Sequence, residues 1–385
     1  MKKKAYIFIC HLTVFIFTIS SLFGFSLMEE KKAEATFPSP VSLRANYHYG
    51  FTISHNPNSR FFNDKHFSTY ELAIVKQTIG NTFWEQSFNY PAYGISLMYS
   101  ELGNPKYLGR LIGLYPFMDF PMTSRNSRVQ FLFAVGLGIG VGTKPFNIRT
   151  NHKNVIYSMH FNSLIEIGLK GKIRITPKFN LLGGISFTHM SNGSLRQPNL
   201  GINNPTVFLS VDYQINKASP EKIKLEKPSR RKCPYRFEIS LNGAIKDSDY
   251  LDDDKLRFSG GLAVNMLKRY HYFRSWGVGL DFDLDFVDIY DAKRTDIFSG
   301  NDFSYIIPSL KAIHAWHIDK LRFGMELCCA LYRKFEYNDL IFANLTLGYE
   351  IRDQIIAGII LRAGFFHADY IGININVKTW EIKQK

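Results

Sequence analysis

The sequence is poor in long apolar runs, in helical periodicity, in cysteine and in acidic residues. After residue 36 it has no apolar run long enough for a transmembrane helix, which needs about 20 residues. Helical periodicity is weak throughout. Cysteine is scarce, with Cys10, Cys233, Cys328 and Cys329 only. Their spacing excludes a disulfide framework and a zinc site. Cys328 and Cys329 are neighbours on a predicted strand and should face opposite ways. Acidic residues are outnumbered, 33 to 47, giving a net charge of +14. Such a balance suits nucleic acid or anionic lipid. The basic residues form no stripe, and there is no RNA-recognition signature and no glycine-rich phosphate loop. Those absences argue against nucleic acid, and no motif calls for a cofactor or a metal.

What is present begins at the N-terminus. Met1-Lys2-Lys3-Lys4 is followed by the uncharged, Ile-, Phe- and Leu-rich run from Ala5 to Met28. This is the pattern of a secretory signal peptide over residues 1–35, cleaved between Gly24 and Ala35. A single membrane anchor is the alternative.

Beyond it, apolar and polar residues alternate repeatedly. From Val129 to Val141 the odd positions are Val, Phe, Phe, Val, Leu, Ile and Val, while the even ones are Gln, Leu and Ala followed by three Gly. From Trp276 to Phe286 one face is Trp276, Val278, Leu280, Phe282, Leu284 and Phe286, and the other carries Asp281, Asp283 and Asp285. Side chains along a strand point to opposite faces, so each segment has one greasy and one polar side. The segments run about 10 to 14 residues, longer than soluble strands and long enough to span a bilayer. Charges such as Glu166, Lys170, Lys172, Arg257 and Glu326 sit in mid-strand on the polar face. An apolar exterior with a polar interior is the arrangement of an outer-membrane barrel, and lipid demands that its sheet close. The expected fold is all-β, a transmembrane antiparallel barrel of about 14–16 strands. The alternative is an eight-stranded barrel plus a second β domain.

The domain reading places a first barrel half at 36–215, a charged, proline-containing linker or periplasmic turn at 216–236, and a second strand-rich half at 237–385. The row of Asp281, Asp283 and Asp285 invites a calcium site. Hard-cation ligands usually lie on a turning loop, so pairing with Lys or Arg from neighbouring strands is the expectation.

One stretch does not fit a plain strand. In Ile185 to Asn203, Ile185, Phe187, His189 and Ser191 share a face, and the first two point that face toward lipid. His189 and Ser191, two apart, stand about 6 to 7 Å apart at Cα, within reach of a side-chain hydrogen bond of the kind that activates a nucleophile. With a periplasmic N-terminus the seventh strand ascends, and the pair lies at its outer end. Asn192 and Gly193 follow, and both can donate to a developing oxyanion. Ser-Asn-Gly-Ser is equally ordinary turn chemistry.

The residues "THMSNG" and "QPNLGIN" resemble the lipid A 3-O-deacylase (PagL-like), or acyloxyacyl hydrolase, family. The hallmark His-x-Ser-Asn-Gly, then Pro-Asn-x-Gly, matches His189, Ser191, Asn192, Gly193, Pro198, Asn199 and Gly201. The resemblance is specific over about 20 residues and looser over Tyr70 to Ile215, with the flavour of long Bacteroidetes-type members. It implies an outer-membrane barrel whose lipid-facing site hydrolyses an ester-linked acyl chain of lipid A. Ser191 would be the nucleophile, His189 the base, and Asn192 and Gly193 the oxyanion donors. The family's orienting acid falls fourteen residues after the histidine, at Asn203 here, and no Asp or Glu occurs between Glu166 and Asp212. Arg196 and Lys144 could meet lipid A phosphates or be solvated loop charges. The competing expectations are a pore lined by the lumen charges, or a structural surface barrel with a degenerate site.

Overall fold

A computed structural model describes residues 39–53, 65–124, 127–216, 235–248, 255–295, 301–334, 339–364 and 368–382. The expected signal segment and most of the 216–236 linker lie outside them. The chain forms sixteen antiparallel strands in two closed barrels of eight. The all-β class and the strand count are as expected. The closure follows the two-barrel alternative and not a single ring of 14–16.

The first barrel comprises β1 (Val41–Gly50), β2 (Phe67–Gln77), β3 (Ala92–Ser100), β4 (Leu111–Pro121), β5 (Val129–Gly142), β6 (Phe161–Arg174), β7 (Phe179–Ser191) and β8 (Ile202–Gln214). It closes because β8 returns to β1, from Ser42 opposite Gln214 to Gly50 opposite Thr206. The second comprises β9 (Tyr235–Lys246), β10 (Arg257–His271), β11 (Arg274–Asp285), β12 (Ile307–Ile318), β13 (Leu321–Ala330), β14 (Ile341–Arg352), β15 (Ile355–Ala363) and β16 (Ala368–Ile382). There β16 pairs with β9, Ile375 opposite Leu241.

The alternation read from the sequence becomes an inside and an outside. Leu72, Ile74, Leu97, Phe131, Ile185, Val207 and Leu209 are exposed on the first barrel, and Val278, Leu280, Phe282 and Ile373 on the second. A continuous apolar belt of this kind suits a lipid exterior. The opposite faces bury charges. In the first lumen Arg44 bridges Asp119 at 2.7 Å and Asp212 at 3.2 Å, Lys170 reaches Asp119 at 3.0 Å, and His48 meets Glu71 at 3.0 Å. Barrels of eight strands are just wide enough for side chains to fill them, and these pairs fill this one.

The three aspartates of β11 behave as expected of a lumen row. Asp281 pairs with Lys311 at 3.2 Å, Asp283 with Arg362 and Asp285 with Lys246. Asp281, Glu326 and Cys328 come within 4.8 Å of one another, but Lys311 Nζ already bridges Asp281 and Glu326. The ammonium is the cation of that cluster. Cys328 is buried and Cys329 exposed, on opposite faces, and both are free thiols.

Among the described residues, two α-helices interrupt the strand pattern. Helix α1 (Phe83–Ser87) lies between β2 and β3. Helix α2 (Phe286–Arg294) follows β11 directly, so Phe286 opens a helix instead of extending the strand face. Asp285 causes the switch: its carboxylate accepts from the Val287 N–H at 2.8 Å and the Asp288 N–H at 3.4 Å, capping orphan donors at the N-terminus.

Candidate active site

The segments linking β1–β2, β3–β4, β5–β6 and β7–β8 all leave the first barrel at one end. There the lumen is closed by apolar side chains. Leu111, Leu164, Met190 and Ile202 come from the strands, and Leu102, Leu108, Ile156 and Tyr157 from the segments above; each is at most 1% exposed. Tyr157 is fixed in this layer, its hydroxyl donating to the Leu108 carbonyl at 2.5 Å and accepting the Lys144 N–H at 3.1 Å. Burial pushes that hydroxyl up to about 12, against the pull of its donors from Lys144 and Asn154. It stays a neutral donor across the working range.

Strand β7 carries His189 and Ser191 to this same end. Its even residues Leu182, Ser186, Thr188 and Met190 are buried in the lumen, while Ile185 and Phe187 are exposed. His189 therefore lies on the outward, lipid-facing parity, half-buried. Ser191, the last residue of the strand, shares that parity and is 5% exposed.

Across the ladder His189 faces Asn203 of β8, and His189 Nδ1 lies 2.7 Å from Asn203 Oδ1. An amide oxygen only accepts, so Nδ1 is the donor, and in the neutral ring Nε2 keeps the lone pair. Gly201 lies beside both the imidazole and the serine. A Cβ on Gly201 would stand 3.0 Å from His189 Cε1 and 3.3 Å from Ser191 Cβ. Both side chains thus border the same point, and the φ of +71° at Gly201 suits glycine.

Asn192 is a brace. Its N–H donates to Asn199 Oδ1 at 3.1 Å. Its amide donates to Ser158 Oγ at 3.2 Å and to the Arg196 carbonyl at 2.9 Å, and Ser158 Oγ donates to that carbonyl at 2.7 Å. The Leu200 and Gly201 N–H groups donate to the carbonyls of Val155 and Ile156 at 3.2 and 2.9 Å. Residues 192–201 are thereby laced to residues 143–160. Gly193 turns the chain with φ +59°. Nothing in the sequence points to Ser158 or to the 155–156 carbonyls, because a segment without periodicity carries no register. Asn199 was visible only as part of the Pro-Asn-x-Gly match.

Two family models match the chain in succession. Lipid A 3-O-deacylase (PagL) covers residues 68–212, and the C-terminal domain of acyloxyacyl hydrolase covers residues 235–380. The chain belongs to the lipid A 3-O-deacylase (PagL) family. Membership makes it an outer-membrane β-barrel of an ester-hydrolase family, and each matched span falls within one barrel, the first from β2 to β8 and the second from β9 to β16. No curated protein matches the chain. Among solved structures, Neisserial surface protein A (NspA) is similar at 10% identity and TM-score 0.31, over 46% of this chain and 97% of that one. A mutant porin of Rh. blastica is similar at 7% identity and TM-score 0.18, over 88% and 100%. The KdgM porin stands at 7% identity and TM-score 0.15, over 88% and 99%.

Proposed function

We propose that the first barrel of this PagL-family chain hydrolyses an ester-linked acyl chain of lipid A at the outer-leaflet interface. The observation that carries the reading is the outward-facing His189, held by Asn203 and converging with Ser191 over Gly201. An ester carbonyl at the level of the lipid sugar heads could approach that face without entering the filled lumen.

In the proposed reaction Ser191 Oγ attacks the acyl carbonyl while His189 Nε2 takes its proton. The C–O bond to the sugar then breaks, and Nε2 returns the proton to the departing sugar oxygen. Water, deprotonated by the same nitrogen, then attacks the acyl-serine; as the acyl C–O bond to Ser191 breaks, Nε2 returns that proton to Oγ and the fatty acid is released. The Gly193 N–H is the oxyanion donor of this reading. Asn192 would contribute its own N–H only on release from Asn199. Asn203 fixes the ring tautomer but carries no charge to stabilise the imidazolium. A serine-protease triad loses about 10⁴ in kcat from the corresponding Asp-to-Asn change, so slow turnover is expected.

That amide also motivates the second reading, a non-enzymatic outer-membrane barrel with a degenerate site. Purified protein in detergent micelles, given lipid A, separates the two. Release of one fatty acid per lipid supports the hydrolase, and release equal to a Ser191→Ala control removes it.

A further inference from the structure

We propose that Lys106, Lys144 and Lys153 form a phosphate-binding site for a phosphorylated glycolipid headgroup, at the end of the first barrel that carries His189 and Ser191. Only the identity of the lipid rests on the hydrolase reading; the site itself stands on charge and placement.

Residues 101–110, 143–160 and 192–201 contain Lys106, Arg110, Lys144, Arg149, Lys153 and Arg196, and a single carboxylate, Glu101. Within this basic rim two ammonium groups lie by one ring, and a third is bonded to the chain just before it. Lys106 Nζ lies 5.2 Å from the Tyr107 ring centroid and Lys153 Nζ 5.5 Å from the same centroid. Both distances are in the range of cation–π attraction. Lys144 Nζ donates to the Pro105 and Lys106 carbonyls at 3.1 and 3.2 Å, which leaves one of its three hydrogens for a further acceptor. All three lysines are exposed.

The framework beneath them is fixed. Asn151 Nδ2 donates to the Tyr107, Lys144 and Pro145 carbonyls at 3.0, 3.0 and 3.1 Å, so the two segments carrying the lysines share one anchor. Gathering like charges opposes itself electrostatically, and a dianion placed among them relieves the repulsion. A phosphate accepts from several ammonium groups at once through charge-assisted bonds.

Placement relates the lysines to the ester site. Lys153 is two residues, at most about 7 Å of chain, from Val155. The Val155 carbonyl accepts from Leu200, the neighbour of Gly201, over which His189 and Ser191 converge. A glycolipid with its phosphate and its ester on one sugar core spans that interval. The lysines would hold the headgroup while the acyl chains lie along the barrel wall.

The test reads lysine reactivity and needs no turnover. Full-length protein in detergent micelles is acetylated briefly, and peptides carrying Lys106, Lys144 and Lys153 are quantified by mass spectrometry. Phosphorylated lipid A at several times its Kd should slow their modification about fivefold or more. Dephosphorylated lipid A and inorganic phosphate at equal concentration should not. No protection by lipid A overturns the site, and equal protection by inorganic phosphate overturns the headgroup assignment. In parallel, the Lys106→Gln/Lys153→Gln variant should raise KM for phosphorylated lipid A about tenfold, with kcat and the dephosphorylated substrate unaffected. Equal KM in wild type and variant also overturns the site. Protection of the lysines without release of fatty acid from either lipid would sink the hydrolase reading and leave the phosphate site standing.

Discussion

His189 Nδ1 and Asn203 Oδ1 are 2.7 Å apart, on residues that face each other across the β7–β8 ladder. The contact is local to one strand pair, so the strands themselves fix its geometry. In the proposed reaction it sets the imidazole tautomer and leaves Nε2 as the base. The amide holds the ring without countering the charge the ring gains.

Asn203→Asp should therefore raise kcat. The carboxylate would occupy the same position and stabilise the imidazolium, with about 10⁴ as the upper bound and tenfold or more expected. Steady-state release of fatty acid from lipid A, compared with wild type and Asn203→Ala, measures it. Equal rates for the Asp variant and wild type would show that the amide is not the limiting feature.

Gly201→Ala should reduce turnover by about 10² or more, because small displacements of reacting groups carry penalties of that order. The new methyl would stand 3.0 Å from His189 Cε1 at a φ of +71°, a conformation costing other residues about 1–2 kcal/mol. The barrel should still form, as judged by heat-modifiable migration on gels. A Gly201→Ala protein with wild-type turnover would remove this position from the site.

Much of this was legible beforehand. The alternation in β5 and β11 gave the faces of those strands, and Ile185 and Phe187 gave His189 and Ser191 their outward direction. The pairing of Asp281, Asp283 and Asp285 with Lys311, Arg362 and Lys246 followed from the same reasoning. Closure was not legible. That β8 pairs with β1 and not with β9 is a long-range choice, and both strands carry the same period-two pattern as every other. Helix α2 was missed because its first residue, Phe286, continues the apolar alternation of β11, and the capping role of Asp285 was hidden inside a row of lumen aspartates. The lacing of residues 143–160 to residues 192–201 has no periodicity to betray it.

The buried charges of the first lumen make a stability prediction. Arg44→Met would leave Asp119 and Asp212 without the guanidinium between them, and losing one member of a buried pair costs about 3–5 kcal/mol. Urea unfolding from lipid vesicles should show a loss in that range. Lys170 keeps its contact with Asp119, so the Asp212 side should bear most of it.

The filling of both lumens by ion pairs argues against a pore. Planar bilayers containing the purified protein should show no steady ion conductance above that of protein-free membranes. Stable channels in wild type and Ser191→Ala alike would instead favour transport.

The central claim is that Ser191, activated by His189, cleaves an acyl ester of lipid A. Its most direct test is the mass of lipid A extracted from cells expressing the chain or its Ser191→Ala variant at equal outer-membrane levels. Loss of one acyl chain with wild type only is the predicted result. Unchanged masses with wild type, or the same loss with the variant, would contradict it.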